Sequence, residues 1–460
     1  MTGVLPTLNI GGGVVALGPT PASVFSDQSP RFWEIRGDGS QLSIEPPVVQ
    51  IDGASVRCEV GNLAVIGSPH RTRNGSLETV LIGSVVDVPG LFLRTVLRTD
   101  ERSPVVRFRY EIESGRRHRL TKRGGVDDVR FCSIDRPGTA SLTEVRISDF
   151  VRLGHTFMPV ERRVDPKDVP ALSPLHGPIL VGEEGDVSWL LAYEHGSSGG
   201  DTYCGFAAAT QNGISIQGVK GTYLDGQALF ESVPYRTPWL HAAIVPGSVN
   251  EVAAAFRAFL LDVQSENLES RVPQIFYNTW NFQEREHYWF DRPYTKNLDE
   301  SRVLAELEVA ASMGINTYVI DTGWYAATGD WRPSPDRFPN GIRPVQDRAQ
   351  ALGMRLGLWF DPTAAAVSSD ALAEHRKDVV TWLGAEQLPR PIWETEDSHR
   401  MCLASDGWRH SSRISSGRTT SGASPTSSWM PSVSTAATVR CITMATIAIP
   451  PRSVLHGSRS

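Results

Sequence analysis

The chain has 460 residues, 40% of them hydrophobic and 21% charged, and a net charge of −6. That length exceeds a single hydrophobic core and implies two or three domains of a soluble globular protein. The balance excludes a basic nucleic-acid binder or a ligand of anionic membranes, and no apolar run reaches the roughly 18 residues of a membrane span.

The start, Met1-Thr-Gly-Val-Leu-Pro6, has no charged segment leading into an apolar core. A secretory signal is therefore not expected, and a cytoplasmic location is. Five cysteines, Cys58, Cys132, Cys204, Cys402 and Cys441, form no CxxC pair. They read as buried free thiols in preference to a disulfide framework or a metal site.

Residues 1–245 carry many short β-type runs separated by turn residues, which indicates an N-terminal β-sandwich. Gly11-Gly-Gly13 precedes no helical pattern and reads as a turn, not a phosphate loop. Leu91–Leu97 and Val105–Ile112 flank Thr99–Pro104 as a hairpin, and Ser188–Tyr193 runs as a strand into the turn Gly196–Gly200. The pattern changes over residues 246–270, where Val249–Leu261 has the apolar spacing of a helix linking two domains. Residues 271–408 then alternate strand and helix. Strands are predicted at Gln274–Trp280, Thr317–Asp321 and Met354–Trp359. Helices are predicted at Leu298–Met313, closed by Gly314, and at Pro344–Leu352, closed by Gly353. Repeated β-α-β units imply a parallel sheet, either a barrel or an open doubly wound sheet.

Polar and aromatic residues gather where these strands end: Asn278-Thr-Trp-Asn281, Asp321-Thr-Gly-Trp324 and Trp359-Phe-Asp-Pro362. Ligand sites of parallel α/β folds form at such carboxyl ends. Of 12 tryptophans, eight fall between Trp280 and Trp408. An indole face packs on the C–H face of a sugar ring while Asp and Asn accept its hydroxyls. Trp280 and Trp359 fit that role better than a core role, whereas Trp382 and Trp393 read as packing residues. Asp321 could cap a helix, but an acid that ends the apolar run Tyr318-Val-Ile320 is better suited to a ligand.

Four blocks carry a resemblance: Val319-Ile-Asp-Thr-Gly-Trp324, Gly329-Asp-Trp331, Arg337-Phe-Pro-Asn-Gly341 and Gly353-Met-Arg-Leu-Gly-Leu-Trp359. Their order and spacing resemble glycoside hydrolase family 36, the melibiase type of α-galactosidase, up to about Trp408. The resemblance implies an N-terminal β-sandwich (supersandwich) followed by part of a (β/α)8 barrel. It implies a retaining two-carboxylate mechanism without metal or organic cofactor, acting on an α-galactoside or related oligosaccharide. It leaves open a homo-oligomer in a full-length relative. It assigns Asp321 to galactose hydroxyls and Trp359 to the sugar pocket, with Trp280, Asp330 and Trp331 at or near it. Two departures stand out. Thr322 replaces a second aspartate of the family, which puts strict preference for unmodified galactose in doubt. Asp361-Pro-Thr363 replaces the frequent Glu-Pro-Glu.

Retaining cleavage needs two carboxyl groups about 5 Å apart, which the family carries on later barrel strands. After Asp406 the chain holds no Asp, Glu or Lys, although the whole has 51 acidic residues. Residues 409–460 therefore read as an aberrant tail, disordered or a linker in native form. A displaced reading frame near Trp408 accounts for it better. Trp429-Met-Pro431, read from the third base of each codon, yields Asp-Ala, and the preceding codons permit Phe-Lys-Leu, a nucleophile motif of the family type. Cys441–Ala445 permits His-His-His-Gly in that frame. The expectation is three strand–helix units with exposed apolar sheet edges, no catalytic residue present and no hydrolysis by this chain. The alternatives are a non-catalytic carbohydrate-binding protein and, last because no Gly-x-Gly-x-x-Gly follows a strand, an open-sheet nucleotide-binding enzyme.

Overall fold

A computed structural model describes residues 8–10, 13–17, 33–37 and 40–408, apart from 126, 137, 152–155, 173, 196–201, 209–212, 231–233, 266, 383, 393–395, 404 and 406. The expected turns at Gly11-Gly12 and Gly196–Gly200, the expected packing role of Trp393, and the 409–460 tail lie outside these residues. The chain divides into two compact units, 1–268 and 269–460.

The first unit is a stack of antiparallel sheets. The longest runs through Ser141–Val151, Ile179–Glu184, Val187–Tyr193, Leu240–Pro246, Ser103–Ser114, Leu91–Asp100 and Leu77–Val85. Strict alternation dictates this arrangement: every second residue of Leu77–Val85 is buried, which gives the strand one core face. Leu91–Asp100 and Ser103–Ser114 form the expected hairpin, tighter than the sequence suggests, with Asp100 paired to Ser103. A second sheet of seven strands includes Cys204–Ala208, Gly213–Gly218, Val129–Asp135 and Val48–Ile51. Their buried faces merge into one core of aromatic and aliphatic side chains. There Trp33 donates to the Tyr110 hydroxyl at 3.1 Å and meets Phe108 edge-on at 4.8 Å. Cys58, Cys132 and Cys204 are buried as expected, whereas Cys402 is only half-buried.

The helix Val249–Ala258 starts at a capping box made by Ser248 and Glu251. It buries Val252 and Phe256 against Val105, Val181, Leu190 and Ala243 of the long sheet. It continues as a π-helical turn, Phe259–Gln264, within the same unit.

Elements of the second unit are labelled from its own first strand. Parallel strands β1 (Phe276–Asn278), β2 (Thr317–Ile320) and β3 (Arg355–Leu358) pair in that order. Helix α1 (Trp280–Phe290) and helix α2 (Glu300–Ser312) connect β1 to β2, and α3 (Arg343–Ala351) precedes β3. Asp299 caps α2 through the Arg302 N–H at 2.8 Å, and Val303, Leu307 and Ala310 form its buried stripe. A cap is worth about 1 kcal/mol, and Leu307→Ala would cost about 2–5 kcal/mol. Gly314 and Gly353 follow α2 and α3 at φ 77° and 72°, the left-handed turn that a side chain resists. The result is an N-terminal β-sandwich followed by part of an α/β barrel. Ile275 and Phe276, at the β1 edge, are exposed.

Two expectations change. First, the strand predicted over Gln274–Trp280 ends at Asn278, whose side-chain oxygen accepts the Trp280 N–H at 2.9 Å and turns the chain into α1. Second, β3 leads into no helix of a third unit. Pro362 follows within four residues, and the chain folds back as a small antiparallel sheet. Its strands are β4 (Ala364–Ala366), β5 (Arg390–Ile392) and β6 (Glu396–Arg400), with the short helix α4 (Asp370–Glu374) between β4 and β5. Among the described residues, no helix is long and apolar enough to cross a membrane.

Candidate functional site

Parallel pairing aligns the carboxyl ends of β1, β2 and β3, so Asn278, Asp321 and Trp359 come out on one rim. Asp321 is 7% exposed. One carboxylate oxygen accepts the Asn278 side-chain amide at 2.8 Å and the other accepts the Thr322 N–H at 2.7 Å. Burial raises its carboxyl above the usual value of 3.8, and those two donors pull it back in part. Each oxygen keeps one further acceptor position.

A buried network fixes this acid. The Thr279 hydroxyl accepts the Asp321 N–H at 2.8 Å and donates to the Gln283 side-chain oxygen at 2.8 Å. The Gln283 amide then donates to the carbonyls of Thr322 (2.9 Å) and Tyr294 (3.1 Å). Thr279 and Gln283 are fully buried. Arg337 acts from outside the strand. Its guanidinium donates to the carbonyls of Gly323 (2.5 Å) and Tyr325 (2.8 Å), pinning the loop after Asp321.

Thr322 does not face the rim. It is fully buried, 2.6 Å from the Tyr325 hydroxyl. Tyr325 opens an aromatic cluster: Trp331 meets it edge-on at 4.8 Å, meets Phe360 at 5.2 Å and meets Trp359 at 6.3 Å. Trp359 also stacks with Tyr325 at 6.4 Å, and its carbonyl accepts the Trp324 indole N–H at 2.8 Å. Trp359 is half-buried, whereas Trp331 is 2% exposed.

The five residues singled out in sequence thus separate. Asp321 and Trp359 share the strand-end rim. Trp280 begins α1 and stacks on Tyr294 at 4.7 Å, in a group that His287 joins at 4.1 Å from Tyr294. Trp331 packs beneath Trp359. The carboxylate of Asp330 accepts the N–H groups of Ala371 (2.9 Å) and Asp370 (3.2 Å) at the start of α4. Asp361 is bound by the Thr363 N–H at 2.9 Å, the Thr363 hydroxyl at 2.5 Å and, at 3.7 Å, the guanidinium of Arg400. Among the described residues, no group of three or more His, Cys, Asp or Glu could hold a metal ion.

Sequence reasoning gave no role to Thr279, Gln283 or Arg337. Arg337 opens the block Arg337-Phe-Pro-Asn-Gly341, and that block is its signal in the sequence. Gln283 has none, since its partners are set by the fold.

Residues 234–390 match the family model described as Melibiase. An α-galactosidase of Escherichia coli is 28% identical over 168 residues, 35% of this chain and 22% of that protein. The probable α-galactosidase C of Aspergillus flavus is 33% identical over 111 residues, 20% of this chain and 14% of the relative. In fold, the chain is similar to the GH36 α-galactosidase AgaB of Geobacillus stearothermophilus (TM-score 0.62, 14% identity, 91% of this chain and 63% of that one). It is also similar to a variant of AgaA from the same organism in complex with raffinose (TM-score 0.63, 13% identity, 91% and 64%). The chain thus spans about a fifth of the E. coli relative and under two thirds of these solved structures.

Proposed function

We propose, from a chain that belongs through residues 234–390 to the melibiase family of glycoside hydrolases, that the rim Asn278–Asp321–Trp359 is the sugar-recognising wall of an α-galactosidase site. The observation that carries this reading is Asp321: a buried strand-end carboxylate, oriented by Asn278 and the Thr322 N–H, with acceptor capacity left over. Such a group accepts the hydroxyls of a terminal α-linked galactosyl residue, and Trp359 offers an aromatic face beside it. Trp280 extends the wall through its stack with Tyr294. Asp330 and Trp331 serve from behind, as supports of the loop and of the Trp359 ring. Thr322, turned toward Tyr325, leaves Asp321 as the acid at this strand end, which favours tolerance of galactose modified at one hydroxyl.

In a complete site the reaction is retaining hydrolysis with a nucleophile and an acid/base about 5 Å apart. The 460-residue chain binds but does not cleave. Asp330 and Asp361 are committed to α4 and to Thr363, Asp321 serves hydroxyl binding, and residues 407–460 contain no carboxylate side chain. The test has two arms on the 460-residue chain. Calorimetric titration with galactose should show binding that Asp321→Asn weakens at least about tenfold, the scale of one lost charged hydrogen bond. An aryl α-galactoside should not be hydrolysed. Unchanged galactose affinity in Asp321→Asn would remove the assignment of Asp321, and cleavage abolished by Asp321→Asn or Asp361→Asn would overturn the distribution of roles.

A further inference from the structure

The turn Ala327–Trp331 is held by the antiparallel insert that follows β3. The Thr328 N–H donates to a Glu396 carboxylate oxygen at 2.7 Å, and the Thr328 carbonyl accepts the Ala366 N–H at 2.8 Å. Both sides of one residue's backbone are thereby fixed by β4 and β6. The second Glu396 oxygen is 3.4 Å from the Ser368 hydroxyl, on the chain between β4 and α4. Two residues further along the turn, Asp330 ties the same loop to α4. Between them Gly329, at φ 103°, lies so close to β4 that a Cβ there would meet the Cβ of Ala365 at 3.2 Å.

This fastening has a conformational purpose. Trp331 adopts φ 52°, the left-handed region that a bulky residue avoids. Such a conformation costs about 1–3 kcal/mol and persists only where neighbours over-determine it. Here it turns the indole into the cluster, against Tyr325 and under Trp359.

We propose that Glu396 is a positioning residue of the sugar wall, acting through the Thr328 N–H and the strained turn to set the orientation of the Trp359 ring. Its carboxylate touches no sugar. The role presupposes that Trp359 lies in the galactoside wall. Glu396 lies outside all four sequence blocks and is reached only because β6 pairs with β4.

The experiment compares Glu396→Ala and Glu396→Gln with the parent in the full 460-residue chain. Galactose affinity is read by calorimetry, indole geometry by near-ultraviolet circular dichroism, and integrity by the far-ultraviolet spectrum. Glu396→Ala is expected to bind galactose about tenfold more weakly and to change the near-ultraviolet signal of the coupled indoles, with the far-ultraviolet spectrum kept. Glu396→Gln keeps an acceptor for Thr328 and should recover most of both signals, a rescue that loss of general stability would not give. Parent-like affinity and indole signal in Glu396→Ala would overturn the role. If Glu396→Ala does not fold, Glu396→Gln decides. There, affinity and indole signal that are kept together or fall together support the proposal, and either one changing without the other overturns it. If the parent itself binds no galactose, the sugar reading fails on its own. The near-ultraviolet spectrum of Glu396→Ala then decides whether Glu396 orients the ring.

Discussion

Thr279→Val isolates the network that holds Asp321. Valine keeps the branched shape and replaces only the hydroxyl, so packing changes little. What is lost is specific: the Asp321 N–H loses its acceptor and the Gln283 side-chain oxygen loses its donor, both at 2.8 Å. Thr279 and Gln283 are fully buried, and the second valine methyl takes the space of the hydroxyl. A buried polar group left unpaired costs about 1–3 kcal/mol, so two cost about 2–6 kcal/mol. Nine of the 12 tryptophans lie beyond residue 268, so intrinsic fluorescence follows the second unit. With a urea slope of about 2 kcal/mol per molar, the fluorescence midpoint should fall by about 1–3 M. Thr279→Ser keeps the hydroxyl and loses a methyl, and should cost only about 1 kcal/mol. A Thr279→Val midpoint within about 0.3 M of the parent, or a serine variant as unstable as the valine one, would refute the network's part in holding the strand end.

Other expectations follow from the same geometry. Because burial raises the Asp321 carboxyl above 3.8, galactose binding should be lost on acidification at a pH above 3.8; a binding midpoint at or below that value would contradict the ionised acceptor. For stability the sign is opposite. The fold disfavours the charged form, so the contribution of this group is complete below 3.8 and is lost as pH rises through the raised value. Asp321→Asn should flatten that part of the stability–pH curve. Asp330→Ala removes the acceptor of the first two α4 amides and should lower stability in urea by about 1 kcal/mol, with no change indicating that α4 caps itself through Ser369. Burial pushes the Cys58 and Cys132 thiols up to about 12, so brief alkylation of the folded chain followed by peptide mass spectrometry should leave both unlabelled while the half-buried Cys402 reacts.

What was legible in the sequence follows the range of the interactions. Helices α2 and α3 emerge within two residues of the expected bounds because Val303, Leu307 and Ala310, or Val345 and Ala349, repeat at helical spacing and a glycine ends each. Helix α1 was hidden because its buried residues are Phe282, Gln283 and Glu286, two of them polar, while Tyr288, Trp289 and Phe290 are exposed. An apolar period does not exist there to be read. The insert after β3 was hidden for another reason. Three alanines have little strand preference, and Ala364 finds its partner at Arg400, far along the chain.

The site shows the same division between what a motif states and what the fold decides. Asp321 is readable because a charged residue closing an apolar strand has few structural uses. Its supports are not, since Asn278 and Thr279 reach it from another strand and Gln283 from the helix after that strand. Gly329-Asp-Trp331 reads as a polar and an aromatic group presented together. Neighbouring side chains diverge when the backbone between them turns left-handed, and Trp331 stands at φ 52°. The carboxylate of Asp330 therefore ends at the amides of α4 and the indole ends in the cluster below Trp359. A motif of this kind marks where a wall is braced as readily as where it meets a ligand, and only the backbone angle between its residues separates the two.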